Sequence, residues 1–238
     1  MLGALAGIAA VAAGATFAGL HSMLPGSQLY GASFNGAPAG TRSLALTYDD
    51  GPNDPYTGQL LEVLERHGVK ATFFLLGQFV SARPELARAV VEAGQAIGSH
   101  GYNHHNLIFL SPTQLRQQLE RASQAIEAAT GLRPKLFRPP FGGRRPGTFA
   151  VAREFGMVPV MWRISCHDWS AHSAASIVQS AMSQIRGGEV ILLHDGGHLK
   201  IGTDRSHSVR ATDEIVRRCQ GEGYEFVTVT EMMDSSVG

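Results

Sequence analysis

From residue 43 onward the chain alternates short β-rich runs with amphipathic helical stretches, and that alternation admits few folds. Strands separated by helices pair in parallel, because a crossover connection returns the chain to the same end of a sheet. The strand candidates are Ser43 to Tyr48, Val69 to Leu75, Gln95 to Ser99, Lys135 to Arg138, Met157 to Trp162, Glu189 to Leu193 and Tyr224 to Val229. Helical patterns fill the intervals at Thr57 to His67, Pro84 to Ala93, Pro112 to Thr130, Pro146 to Phe155, Ala174 to Ile185 and Val209 to Glu222. The third of these has Ser111 placed as N-cap, Pro112 at its first position and Gly131 just past its end. Seven strand units favour a barrel, closed or incomplete, over an open doubly wound sheet, and no Gly-x-Gly-x-x-Gly turn supports a dinucleotide fold. In a parallel barrel the chemistry collects on the loops that follow the strand C-termini.

The chain before this region is of another kind. Leu2 to Leu20 is rich in Ala and Gly and carries no charge, and its length is that of a membrane span. It reads as a membrane anchor, as a secretory signal cleaved near Ala13-Gly14-Ala15, or as a buried helix; no Lys or Arg precedes it. The first two place the protein in the cell envelope, anchored or secreted. Pro25, Gly26, Gly31, Gly36, Pro38 and Gly40 then mark a linker or irregular lead-in. The expected organisation is an apolar signal or anchor segment at 1–24, a lead-in at 25–42 and one catalytic domain at 43–238. Every candidate catalytic residue lies after position 46, so the N-terminal apolar segment is expected to serve location and not catalysis. Twenty Lys and Arg balance twenty Asp and Glu, which leaves no basic footprint for a nucleic-acid partner. Cys166 and Cys219 are too few and too far apart for a disulfide framework and form no Cys-x-x-Cys pair. Nothing in the sequence points to a particular oligomeric state.

The polar residues at the strand ends are the ones with chemical potential. The first strand runs into Thr47-Tyr48-Asp49-Asp50-Gly51-Pro52, two carboxylates where the chain leaves the sheet. In a regular strand neighbouring side chains point to opposite faces, so one ion does not easily take both; at a turning end, one can hold a metal while the other faces the bound water. The third strand leads to Ser99-His100-Gly101-Tyr102-Asn103-His104-His105-Asn106. Two neutral imidazoles with Asp50 make a three-ligand site with an open position, as a catalytic divalent metal requires, and His105 is an alternative ligand to His104. The fourth strand ends in Arg138-Pro139-Pro140-Phe141-Gly142, where the cation could steer a carboxylate and the backbone N–H groups past the prolines could meet an oxyanion. The fifth leads to His167-Asp168-Trp169 and the sixth through Leu192-Leu193 to His194-Asp195, so an Asp and a His at neighbouring strand ends can pair and tune the imidazole.

Read in order, these five segments resemble the polysaccharide deacetylase family, the NodB-type carbohydrate esterases of family 4, over nearly the whole region from Ser43 to Met232. The resemblance implies an irregular, NodB-like (β/α)7-type barrel, here preceded by an N-terminal apolar helix. It implies Asp49 as catalytic base, Asp50, His100 and His104 as ligands of a divalent metal, and His194 as general acid. Arg138 would orient Asp49, Asp168 would pair with His194, the Phe141 N–H would meet the oxyanion, and Trp169 and Leu192 would wall the pocket for the acetyl methyl. Zinc is the expected ion, although cobalt, nickel and manganese suit the same ligands. Three positions depart from the family pattern: Ser165 stands where an additional Asp is usual, His105 where a Pro follows the second metal histidine, and Phe141 where a Tyr is usual. The expected activity is metal-dependent removal of N-acetyl or O-acetyl groups from a glycan such as chitin-like or peptidoglycan N-acetylglucosamine. A deformylase or amidase acting on a lipid-linked sugar or small amide is an alternative, and a non-catalytic carbohydrate-binding module another. A glycosidase is disfavoured, because adjacent Asp49 and Asp50 cannot flank a sugar ring at the separation of at least about 5 Å that such enzymes use.

Overall fold

The computed structural model describes residues 16–236. Its elements are β1 (Ser43–Gly51), α1 (Tyr56–His67), β2 (Thr72–Leu75), α2 (Gly77–Ala82), α3 (Pro84–Glu92), β3 (Ala96–Ser99), α4 (Pro112–Thr130), β4 (Leu136–Phe137), α5 (Thr148–Glu154), β5 (Val158–Pro159), β6 (Ile164–Ser165), α6 (Ala174–Gln184), β7 (Val190–His194), α7 (Ser206–Gly221), β8 (Glu225–Phe226) and α8 (Val229–Ser235). The sheet runs β5-β4-β3-β2-β1-β7-β6, every pairing is parallel, and β8 adds to the start of β1. β1 is central and buried along almost its whole length, because a parallel sheet is covered on both faces. α1 shows how the helices cover it: Thr57, Leu60, Val63 and Leu64 fall on one stripe facing inward, and Gly68 at φ 65° ends the helix in the left-handed region that a side chain resists. The caps expected at Ser111 and Gly131 are present, with Ser111 and Gln114 forming a reciprocal capping box on α4.

The irregular seven-unit barrel is the expected architecture, with one instructive difference. The run Met157 to Trp162 is not one strand. β5 and β6 sit at opposite edges of the sheet, so the chain crosses the opening of the barrel between Pro159 and Ile164. Pro159, with no N–H, falls between Val158 and Val160, whose N–H groups donate to Lys135 O and Phe137 O at 2.8 Å, so its nitrogen faces away from β4, where no ladder donor is needed. The lead-in occupies that opening. Phe34 bridges to Val160 beside β5 and Gly36 to Glu189 just before β7, with Met161 N–H donating to Phe34 O at 2.7 Å and Ala37 N–H to Gly188 O at 2.8 Å.

Residues 16–21 are helical, with Phe17 and Leu20 exposed. The rest of the apolar segment lies outside the described residues, and among those described no helix is long and apolar enough to cross a membrane. Cys166 and Cys219 are both buried and unpaired.

Candidate active site

The C-terminal ends of the strands open into a cleft of about 480 Å³, lined by Asp49, Asp50, His100, His104, Phe141, Trp169, Leu192 and His194. These are eight of the ten residues singled out from the sequence. The other two, Arg138 and Asp168, are buried behind the lining and hold parts of it in place. His105 is exposed and outside the cleft, so the geometry selects His104 over its neighbour.

The two adjacent carboxylates face one cleft because β1 is not regular at its end. Its pairing with β2 shifts register between Asp49 and Gly51, and Asp50 adopts φ 74°, a left-handed conformation that is unusual for a residue with a Cβ. The bulge turns Asp50 out of the strand alternation. Close backbone approach holds it there: a Cβ on Gly51 would meet Asp195 Oδ2 at 2.0 Å, and one on Gly196 would meet Asp50 O at 2.2 Å.

Asp50, His100 and His104 offer ligand atoms that all lie within 4.8 Å of one another. Asp50 Oδ1 is 3.2 Å from His104 Nε2 and 3.7 Å from His100 Nε2, and it is buried without a hydrogen-bond partner. His100 Nδ1–H donates to Arg138 O at 2.8 Å, which fixes the tautomer and leaves Nε2 as a free lone pair. Burial keeps both imidazoles neutral, with His100 pushed down to about 3 and His104 to about 2. Burial also pushes Asp50 up to about 7 against the pull of His194. Two neutral nitrogens and an orphaned carboxylate oxygen at the end of a buried pocket are a donor set suited to a divalent cation.

Asp49 has a different environment. Arg138, fully buried, donates from Nη1 to Asp49 Oδ1 at 2.8 Å and to Thr47 Oγ1 at 2.7 Å, and from Nη2 to Met161 O at 3.2 Å. Its guanidinium lies over the Phe74 ring at 4.1 Å, which keeps water from competing for the pair. Asp49 Oδ2 is left facing His100 Nε2 at 3.6 Å. Directly across the ladder from Asp49 is His194. Its Nδ1–H donates to Asp168 Oδ1 at 2.8 Å, while Asp168 Oδ2 accepts from the His194 N–H at 2.8 Å and from Ser208 Oγ at 2.7 Å. Burial works against a charged His194, but Asp168, with Asp50 and Asp49 beyond it, outweighs that and raises it to about 9. The imidazole is a cation at neutral pH, with Nε2–H free of the Asp168 pairing.

Phe141 sits at φ 59°, and no carbonyl among the described residues accepts its N–H. Its ring is edge-on to His104 at 4.3 Å. The positive-φ residues other than glycine among those described are Asp50, His104, Phe141 and His167: three line the cleft and the fourth precedes Asp168. Backbone strain therefore concentrates at this one place, as it does where the surroundings over-determine a working geometry.

Sequence reasoning missed several members of the site. Ser208, on α7, completes the hydrogen bonding of Asp168. Asn53, buried, ties the end of β1 to the loop after β7 through Asp195 O, Thr203 O and the Gly202 N–H. His198 stacks on His104 at 4.4 Å, and Met23, at the end of the N-terminal segment 1–24, lines the cleft wall. None belongs to a spaced motif, so only the fold brings them in.

A carboxylate held by a buried guanidinium, a neighbouring cation-ready triad and a cationic imidazole across the strand define the site of a hydrolase on an irregular α/β barrel. A polysaccharide deacetylase family model matches residues 36–160. The chain is 34% identical over 209 residues to a peptidoglycan-N-acetylglucosamine deacetylase of Bacillus cereus, covering 87% of this chain and 74% of that protein. It is 36% identical over 197 residues to a chitooligosaccharide deacetylase of Bradyrhizobium sp., covering 80% and 90%. Among solved structures, a family 4 carbohydrate esterase pseudoenzyme from Bacillus anthracis superposes with a TM-score of 0.78 at 30% identity, covering 84% of this chain and 68% of that one; a mutant of it has restored enzymatic activity. The chain belongs to the polysaccharide deacetylase family, and it is a hydrolase of amide bonds.

Proposed function

We propose that the protein is a divalent-metal-dependent deacetylase that removes N-acetyl groups from a glycan built on N-acetylglucosamine, peptidoglycan or chitin-like. The observation that carries this reading is that Asp49 and His194, partners across the β1–β7 ladder, face the Asp50–His100–His104 cluster from one cleft. Binding alone needs neither a positioned base nor a charged acid. The relatives act on peptidoglycan and chitooligosaccharide by name, and both polymers carry the N-acetyl group this chemistry needs.

When bound by Asp50, His100 and His104, a zinc-like ion supplies Lewis-acid polarisation of the acetyl carbonyl and acidifies water. Asp49, fixed by Arg138 at Oδ1, keeps Oδ2 to take the proton of the attacking water. As the water oxygen bonds to the carbonyl carbon, the Phe141 N–H donates to the oxygen on which charge develops. His194, protonated and aligned by Asp168, delivers its Nε2 proton to the sugar nitrogen as the C–N bond breaks, releasing acetate and a free amine. Trp169 and Leu192 wall the space for the methyl group. The site is expected to work at the cell envelope, a location the apolar run at residues 2–20 supports.

Acetate release from N-acetyl-chitooligosaccharides and from peptidoglycan tests the proposal. Chelation should abolish it and added Zn²⁺ or Co²⁺ restore it; full turnover by metal-free protein refutes the metal-dependent reading. Cell fractionation and mass spectrometry of the mature N-terminus test location: a fully cytosolic protein with intact Met1 refutes the envelope assignment.

A further inference from the structure

Arg144 is as buried as Arg138, yet its surroundings contain no counter-charge. No carboxylate among the described residues lies within ion-pair distance of it, and its Nε has no partner. The hydrogen bonds its guanidinium makes all go to backbone carbonyls: Nη1 donates to Gly142 O at 3.0 Å, and Nη2 donates to Leu24 O and, at 2.9 Å, to Ser27 O, while the Phe149 ring lies 5.7 Å from it. The backbone adds a further tie, from Arg144 N–H to Ser22 O at 3.0 Å. Burying a cation among neutral dipoles is costly, and it persists where the contacts it makes are needed.

Those contacts join two segments far apart in sequence. One is the turn Pro140–Gly142, which carries Phe141 in its strained conformation. This turn is already gripped on two sides, since a Cβ on Gly142 would meet Trp162 at 2.9 Å and one on Gly143 would meet Asn106 Oδ1 at 2.7 Å. The other segment is residues 18–30, which closes on itself through His21 Nδ1 to Ser27 Oγ at 2.7 Å and Tyr30 OH to Ala18 O at 2.9 Å. From this segment Met23 lines the same cleft as Phe141, Gly142 and Trp162. Elsewhere the lead-in is also held by arginines, Arg153 to Ala32 O and Arg163 to Gly36 O and Ala37 O, but neither of these lines the cleft.

We propose that residues 22–27 are part of the active site: Met23 forms a wall of the glycan-binding cleft, and Arg144 is a positioning residue that locks this segment to the Pro140–Gly142 turn and thereby aims the Phe141 N–H. The inference rests on the deacetylase reading of the cleft. It departs, at Met23, from the sequence-based expectation that the N-terminal apolar segment serves location only. The physical reason is that a non-glycine residue at positive φ returns to commoner conformations unless neighbours prevent it, and Arg144 holds the turn from its third side.

The test uses the full chain, with kcat and KM measured on a soluble N-acetyl-chitooligosaccharide, oligomer binding measured by calorimetry, and Tm measured alongside. Arg144→Met is expected to lower kcat about 10- to 100-fold at nearly unchanged KM, the scale of a misaimed catalytic donor. Arg144→Lys is expected to recover only part of it, because a single ammonium cannot serve carbonyls on both sides as the planar fork does. Met23→Ala should raise KM and the oligomer Kd about threefold or more at nearly unchanged kcat, in line with the loss of a partly buried thioether contact. Arg153→Gln, which loosens the same lead-in away from the cleft, should leave both kinetic constants in place. If Arg144→Met and Arg153→Gln shift Tm alone, the segment is only a strap and the proposal is overturned. Should Arg144→Met not fold, Met23→Ala decides at a half-exposed position, and unchanged KM and Kd overturn it. A wild-type protein that releases no acetate refutes the deacetylase reading instead, while the calorimetric comparison of Met23→Ala still reads the wall.

Discussion

Arg138 and Arg144 stand six positions apart on one loop, both with no exposed surface, and they are satisfied in opposite ways. Arg138 meets a carboxylate, Asp49, at 2.8 Å; Arg144 meets no charge, only carbonyls of the turn and of residues 24–27 and the Phe149 ring. A guanidinium that answers to a charge fixes the position of that carboxylate, and this is useful where a base must be held in place. A guanidinium that answers to dipoles fixes backbone, and this is useful where a strained turn must be kept. One short loop thus serves the chemistry through one arginine and the shape of the cleft through the other.

The sharpest way to break this contrast is to remove the charge that Arg138 answers to. Asp49→Asn keeps the shape and every cation-ligating atom, and kcat should fall about 10²- to 10⁴-fold with metal content unchanged by atomic absorption. Near-normal turnover would mean that Asp49 is not the base. Next in size, Arg138→Met strands Asp49 as a buried unpaired charge and should cost about 3–5 kcal/mol in denaturant unfolding. Adding Asp49→Asn to that variant should return a good part of it; a purely additive double mutant would show that the pair is not coupled.

A third test moves to the other ion pair in the cleft. His194 is raised to about 9 in the fold against an ordinary value of 6.5, so its charged pairing with Asp168 stabilises the protein fully below about 6.5 and is lost as pH rises through about 9. The alkaline limb of the kcat profile should therefore lie near 9, and Asp168→Asn should move it down by more than one pH unit. An unmoved limb would assign that titration to another group. The smallest effect is expected at Arg144, where a change to Met leaves carbonyls unpaired rather than a charge, for about 1–3 kcal/mol in the same unfolding experiment. No loss of a single carboxylate should rescue it.

The regions differ in how far they could be foreseen. Asp49, Asp50, His100, Arg138, Asp168 and His194 were legible because each sits at or just past the end of a β-rich run, and parallel strands gather those ends at one face, whereas Phe141, Trp169, Leu192 and the choice of His104 over His105 came from the family resemblance. The caps of α4 were legible for a local reason, since Ser111, Gln114 and Gly131 act within a turn of the helix they bound. The crossing between β5 and β6 was not, because Met157 to Trp162 reads as one β-rich run, whereas only Val158 and Pro159 of it pair with β4 and the strand that pairs with β7, Ile164–Ser165, lies just beyond it. Ser208 and Asn53 were silent for the same reason, their partners lying 40 and about 150 positions away.

The sequence by itself determined a parallel βα barrel and the chemical groups at its mouth, because periodicity, caps and strand-end motifs are local and each residue carries its own signal. Only the tertiary structure decided that Asp49 and Asp50 share one cleft, that His104 enters it while His105 does not, that the lead-in closes the barrel and that the segment before it supplies Met23. Those outcomes depend on a bulge, on left-handed backbone and on carbonyls that Arg144 reaches across more than a hundred residues, and such contacts form between surfaces that exist only once the chain has folded.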